Sequence, residues 1–214
     1  MALALRLSAA AVAFISLLAF AEWAARTWSL TPERGRKLAH MVGGVMSACL
    51  PLLLPFPAIA GLSGAFVPFM VITRRLGVFP LIHGAERSTN GEVYFPLGVM
   101  GAALLVPHRV EFAFGVLVMA LADASASLVG QRFGKRSFRL LSGEKTYLGS
   151  AVFFATTLVL GLVAAQALGE LSGRSLLPLL AIAATAAIAE AVVGGGADNV
   201  ILPVLAAALL RVML

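Results

Sequence analysis

Charged residues are scarce in this sequence. Asp, Glu, Lys and Arg make up 12% of its 214 residues, and hydrophobic residues make up 60%. Soluble domains carry about 25% charged residues. No polar stretch is longer than a single loop, which excludes a separate water-soluble domain. The composition therefore predicts one integral-membrane domain over residues 1–214.

Cysteine is almost absent, because Cys49 is the single one in the sequence. One cysteine excludes an internal disulfide and a thiolate metal cluster. Its place in an apolar run favours a small, buried side chain. A Walker A motif and internal repeats are lacking as well, so the sequence shows neither a P-loop nor the inverted repeats of many transporters.

Eight apolar runs predict an all-α, polytopic membrane protein with about eight transmembrane helices, since a crossing helix needs about 20 residues. The fourth run is short and contains Pro96, which predicts a helix that is broken or that begins inside the protein. The runs are Leu3–Ala24, Leu38–Leu54, Ala58–Thr73, Val93–Val106, Val110–Gly130, Leu148–Leu168, Leu176–Val193 and Val200–Leu214.

The net charge of +6 indicates topology rather than nucleic-acid binding. With the amino terminus outside, 12 of the 16 Lys and Arg residues fall in inner loops. A competing interpretation is a signal peptide cleaved near Ala19-Phe20-Ala21, which would invert the later loops. The charge bias argues against it. We therefore expect a retained first helix, in the bacterial plasma membrane, with the active site facing the cytoplasm.

Four polar clusters fall on that same side, in residues 36–40, 86–92, 123–150 and 190–199. Distant clusters at one membrane face predict a shared site. In the second cluster and just beyond it, Arg87, Glu92 and Tyr94 are candidates for the substrate side. His83, before this cluster, is interpreted as a loop residue.

Asp123 lies inside an apolar run, where a carboxylate costs about 2.5–3.5 kcal/mol at a helix centre. Such an acid is a functional candidate, as a ligand of Mg²⁺ or a contact of nucleotide phosphates. The alternative is an ion pair with a basic residue on a neighbouring helix. The basic segment that follows within two turns favours the functional interpretation.

Gly130 and Gly134-Lys135 form a glycine-spaced turn, and Lys145-Thr146 follows it. Glycines let backbone N–H groups approach phosphate oxygens, and lysine supplies a cation. The alternative is an ordinary positive-inside loop.

Glu190 is a second acid within an apolar run, followed by three glycines and Asp198-Asn199. The acids could serve a metal or a proton transfer, whereas Asp198 or Asn199 could instead cap the last helix. His40 lies just inside its run and could accept a proton or contact phosphate. Arg36 and Lys37 before it are also explained as topology anchors.

Taken in order, these motifs resemble a known family. They are Arg36-Lys37-Leu38-Ala39-His40, Gly91-Glu92-Val93-Tyr94-Phe95-Pro96, Asp123-x-x-Ala126-x-x-x-Gly130-x-x-x-Gly134-Lys135, Lys145-Thr146-x-x-Gly149-Ser150 and Glu190 with Asp198-Asn199-x-x-x-Pro203. The sequence is similar to the membrane-embedded lipid-alcohol kinases: phytol kinase, dolichol kinase and the yeast-type CTP-dependent diacylglycerol kinase. These are grouped with the phosphatidate cytidylyltransferases.

The resemblance implies phosphoryl transfer from a nucleoside triphosphate, typically CTP, to the hydroxyl of a lipid alcohol, with Mg²⁺. On this hypothesis Asp123, Asp198 and Asn199 bind metal, and Asp123, Glu190 and His40 are catalytic. The phosphate-binding residues would be Gly130, Gly134, Lys135, Lys145, Thr146, Arg36 and Lys37. Phytol, geranylgeraniol, a polyprenol and diacylglycerol all present an apolar tail and one hydroxyl, so the apolar runs fit each of them.

Two rival functions follow from the same residues. A cytidylyltransferase would use the metal and the basic loops to make a CDP-lipid from a lipid phosphate. A small transporter is the other rival. Transporter sites usually lie near the midplane between repeats, whereas these acids lie towards one face, so the enzyme is favoured.

Overall fold

The computed structural model describes residues 1–29, 31–83, 90–140 and 143–214. Over these ranges the chain is a bundle of helices with one small hairpin. The helices are α1 (Ala2–Thr27), α2 (Pro32–Cys49), α3 (Phe56–Arg75), the one-turn α4 (Pro80–His83), α5 (Gly91–Leu105), α6 (Arg109–Phe133), α7 (Tyr147–Leu168), α8 (Leu176–Val192) and α9 (Asp198–Met213). The strands β1 (Ser137–Leu140) and β2 (Gly143–Thr146) lie between α6 and α7.

Each of the eight predicted runs overlaps a long helix, so the mostly helical membrane fold is confirmed. Within the described ranges, four helices are long and apolar enough to cross a membrane, namely α1, α3, α6 and α7. Helices α5 and α8 are apolar but shorter, at 15 and 17 residues. The number of about eight crossings therefore stays a prediction.

Three expectations from the sequence differ from the structure. Helix α5 runs unbroken from Gly91 through Pro96 to Leu105, so a broken helix is wrong, whereas its buried first residues, Gly91 and Glu92, agree with the alternative of a start inside the protein. Cys49 is exposed on the bundle rather than buried. His83 ends helix α4 and is buried, so its interpretation as a loop residue is wrong.

The β1–β2 hairpin is the departure from an all-α fold. The strands pair antiparallel, with Ser137 opposite Thr146 and Arg139 opposite Glu144. Ser137 Oγ donates a hydrogen bond to Glu144 Oε1 at 2.6 Å. Strands of four residues are too short for a clear alternating pattern, which is why the sequence indicated only a basic loop.

Glycines let the helices around α6 approach one another closely. A Cβ atom at Gly44 would lie 2.0 Å from Ala120 Cβ, and one at Gly98 would lie 1.9 Å from Asn199 O. Membrane helices commonly pack through such small residues. These contacts hold the polar ends of α2, α5, α6 and α9 around one space.

Candidate active site

That space is a cavity of about 420 Å³, within the usual range for small-molecule sites. One end of it is polar and draws on residues from α2, α5, α6, β2, α8 and α9. Of the residues predicted for the site, its lining contains Arg36, Lys37, His40, Glu92, Asp123, Gly130, Lys145, Thr146, Glu190, Asp198 and Asn199.

Three predicted site residues lie outside this lining, and a fourth is not described. Gly134 lies behind Thr146 and outside the cavity lining, and Lys135 is exposed just after α6. Tyr94 faces a shallow groove beside Arg74. Arg87 lies outside the described residues.

Asp123 follows a π-helical turn, Val118–Ala122, inside α6. Such turns frequently occur at functional sites, because the extra residue re-aims the next side chains. Asp123 Oδ2 accepts a bond from Lys37 Nζ at 3.3 Å, and the two side chains are 17% and 14% exposed. The ion pair that the sequence offered as an alternative is thus present, inside the cavity.

His40 fixes α2 against the same π-helical turn. Its Nε2–H donates to the Met119 carbonyl oxygen at 3.2 Å, and its ring meets the Phe95 ring edge-on at 5.0 Å. Because a carbonyl can only accept, this bond places a proton on Nε2. His40 therefore lies at the boundary between the polar end of the cavity and its apolar continuation.

Lys145 and Glu190 form the second lysine–acid pair of the site. The hairpin brings Lys145 Nζ to Glu190 Oε1, where it donates a hydrogen bond. The Glu190 side chain is only 4% exposed and the Lys145 side chain is 23% exposed. A buried acid of this kind depends on its cation, since an uncompensated buried charge is costly.

Asp198 and Asn199 open helix α9 beside the start of α5. Asn199 Nδ2 donates to the Gly91 carbonyl oxygen at 3.0 Å, and the Asn199 backbone N–H donates to Asp198 Oδ1 at 3.0 Å. The helix begins at Asp198 with Ala197 before it, and no side chain caps it. Burial raises the pKa of Asp198, which precedes the apolar run of α9, and the negative charge of Asp123 raises it further.

Two of the three glycines before Asp198 have a backbone reason. Gly195 and Gly196 have φ values of +69° and +91°, which side chains rarely adopt. A Cβ atom at Gly196 would also lie 2.9 Å from Gly91 N. The loop therefore turns tightly and places Asp198 against α5.

Glu92 is held by residues that the sequence did not single out. Its Oε1 lies 3.2 Å from Arg74 Nη1 and 3.6 Å from His83 Nδ1, while His83 Nε2 lies 3.1 Å from Thr73 Oγ1. No residue of the described chain hydrogen-bonds Glu92 Oε2. Arg74 is one of the 12 Lys and Arg residues predicted for inner loops, and its spacing from Glu92 carries no local pattern that would single it out.

Gln131 and Glu33 also line the polar end and were not predicted. Gln131 Nε2 donates to Glu33 Oε1 at 2.9 Å and to Ser127 Oγ at 3.0 Å. Asp123, Ser127 and Gln131 are spaced four residues apart on one helical face. That spacing was the signal that could have found Gln131.

Gly130, Thr146 and Gly149 form a tight contact in the site. Thr146 Oγ1 accepts a bond from Gly149 N at 3.0 Å and so caps α7. A Cβ atom at Gly130 would lie 2.6 Å from Thr146 Oγ1. The glycine thus lets the end of α6 pack directly on the strand that carries Lys145.

The Gly130→Ala protein is expected to move Thr146 and with it Lys145. Over-packing of this kind typically costs about 1–3 kcal/mol, and we expect the catalytic activity of the site to fall by about tenfold or more. Activity and thermal unfolding of detergent-purified protein measure both effects. Gly173→Ala is the control, because no atom lies within 4 Å of a Cβ atom there. Equal activity in the two variants would contradict this role.

The donor set fits a magnesium ion that is shared with phosphates. Six carboxylates line the cavity, against the three basic side chains of Arg36, Lys37 and Lys145. Within the described ranges no three His, Cys, Asp or Glu residues are arranged to hold a metal by themselves. Mg²⁺ is usually held by one or two protein carboxylates plus substrate phosphates. Asp123 and Asp198, which influence each other electrostatically, match that requirement.

Comparison with known proteins addresses the family of the chain. No family model matches the chain, and no solved structure matches it. A phytol kinase of Synechocystis sp. (strain ATCC 27184 / PCC 6803 / Kazusa) is 30% identical over 186 residues, which cover 82% of this chain and 77% of that kinase. The chain therefore belongs to the membrane lipid-alcohol kinase family that includes this phytol kinase.

Proposed function

We propose that the protein transfers the γ-phosphoryl group of CTP, or of another nucleoside triphosphate, to the hydroxyl of a prenyl-type lipid alcohol such as phytol, geranylgeraniol or a polyprenol. The reaction would take place at the cytoplasmic face of the bacterial plasma membrane. The observation that carries this proposal is a cavity in which buried acids and lysines lead into an apolar space. The phytol kinase relative supports an alcohol acceptor.

The lysines serve the phosphates in this proposal. Lys37 and Lys145 now neutralise Asp123 and Glu190. A bound nucleotide would offer them phosphate oxygens, helped by Arg36. Each lysine can bind a phosphate oxygen while it stays close to its acid, because both side chains line the same cavity.

The acids serve the metal and the hydroxyl. Mg²⁺ held by Asp123 and Asp198, with the Asn199 amide oxygen nearby, would offset the negative charge of the phosphates. The proton of the lipid hydroxyl needs an acceptor as the bond to phosphorus forms. A carboxylate that holds Mg²⁺ is a poor base, so the acceptor would be a residue of the same cavity lining outside the metal set. Glu190 and His40 are the two candidates.

Labelled nucleotide tests the proposal. Purified protein in lipid nanodiscs with geranylgeraniol and Mg²⁺ is expected to place the γ-phosphate label of CTP in the lipid and to leave the α label in CDP. Parallel reactions with ATP rank the donors. Appearance of the α label in the lipid would overturn the kinase proposal in favour of nucleotidyl transfer. A parallel reaction with phosphatidate in place of the alcohol is the matched control for nucleotidyl transfer.

A further inference from the structure

The cavity continues beyond the catalytic residues into an apolar half between α1, α2, α3 and α5. Its walls there include Phe14, Ser47, Leu50, Ser63, Phe66 and Val99. The Phe14 and Phe66 rings meet edge-on at 5.7 Å and close it between α1 and α3. No charged side chain lines this half in the described chain. It therefore offers no cation to the phosphates of a nucleotide.

Helix α2 and the residue that follows it show how long the whole cavity is. Lys37, His40, Gly43, Ser47 and Leu50 follow one another along the lining at spacings of three and four residues. Thirteen residues at a rise of about 1.5 Å give about 20 Å from the lysine to Leu50. A cavity of about 420 Å³ spread over that length is narrow.

The neighbouring helices change from polar to apolar in step with α2. Along α5 the lining passes from Glu92 through Phe95 to Val99. Helix α3 returns from the turn after Leu50, so Ser63 lies deeper than Met70. The Ser47 hydroxyl donates a hydrogen bond to the Gly43 carbonyl oxygen of its own helix at 2.8 Å. It therefore needs no hydrogen-bond acceptor from a ligand.

We propose that this apolar half binds the tail of the lipid alcohol, and that the level of Ser63 and Val99 determines which tail length is used best. The proposal rests on the proposed function, because the hydroxyl must lie at the boundary near His40 and Glu92. A single flexible chain matches a narrow apolar space that is continuous with the catalytic end. Ser63 is buried and small, so it leaves the deep end open.

A substitution that shortens this space tests the proposal. Ser63→Leu adds apolar bulk at the deep level, and Gly61→Leu adds the same bulk on the same helix, where no atom lies within 4 Å of a Cβ atom. We expect Ser63→Leu to lower kcat/KM for geranylgeraniol by about tenfold or more, since a methylene's misfit in an apolar pocket is worth about 10–200-fold. The value for geraniol should change less than about threefold. Gly61→Leu should change neither.

A decrease in kcat/KM that is confined to the longer alcohol distinguishes a tail site from general damage to the protein. If Ser63→Leu lowers kcat/KM for both alcohols equally, or for neither, the tail site is overturned. If wild-type protein phosphorylates neither alcohol, the proposed function itself is wrong. Val99→Leu, which adds one methylene at the same level from α5, repeats the test should Ser63→Leu not fold.

Discussion

Asp123→Asn protein is expected to lose lipid phosphorylation by about 10³-fold, with little loss of stability. The amide keeps the shape and an oxygen that can accept from Lys37, but it removes the charge that a metal–phosphate complex requires. Initial rates with saturating CTP and lipid alcohol measure the loss, and thermal unfolding checks the fold.

Glu111→Gln is the matched control for this experiment. Glu111 is also a buried acid on α6 with a basic partner, Arg211 Nη1 at 3.6 Å, but it lies outside the cavity lining. We expect this variant to keep activity within about threefold of wild type, as an ion pair remote from the chemistry should. Wild-type turnover in Asp123→Asn would remove Asp123 from the mechanism.

Lys145→Met is expected to reduce both activity and stability. It removes a phosphate contact and leaves Glu190 buried without its cation, which typically costs about 3–5 kcal/mol. We expect phosphoryl transfer to fall by about 10²-fold or more, as for the loss of one positioned charge. Rates and denaturation midpoints of the purified variant measure the two effects separately.

The Lys145→Met/Glu190→Gln protein separates these two effects. Neutralising Glu190 removes the buried charge, so we expect most of the lost stability to return while activity stays low. Recovery of activity together with stability would show that Lys145 acts on the fold alone. Lys135→Met is the comparison, because Lys135 is exposed and outside the cavity lining, and we expect it to change activity by less than about threefold.

The helices were predictable because their cause is local. The run Val110–Gly130 already contains the apolar length that becomes α6, Arg109–Phe133. Hydrophobicity at that length determines a helix in a membrane, because every backbone polar group must be bonded within the segment. The hairpin and the π-helical turn before Asp123 have no such local cause. The turn lies where α2 packs closely on α6, with Gly44 against Ala120, and no window of sequence shows that contact.

The types of residue in the site were predictable from the sequence, whereas the ion pairs that they form were not. Acids and lysines in apolar surroundings are conspicuous, so Asp123, Lys145 and Glu190 could be named. Their pairing could not, since Lys37 and Asp123 are 86 residues apart and Lys145 and Glu190 are 45 apart. Lys135 and Lys145 looked equivalent in sequence, and the hairpin brings only the second of these two lysines into the cavity lining.

The most direct test is to identify the product that purified protein makes from CTP, Mg²⁺ and geranylgeraniol in nanodiscs, by mass spectrometry of the lipid fraction. The account predicts geranylgeranyl monophosphate, formed in equal amount with CDP and absent when Asp123→Asn protein is used. A nucleotidyl lipid accompanied by pyrophosphate, or no lipid product from folded wild-type protein across prenyl alcohols and donors, would contradict it.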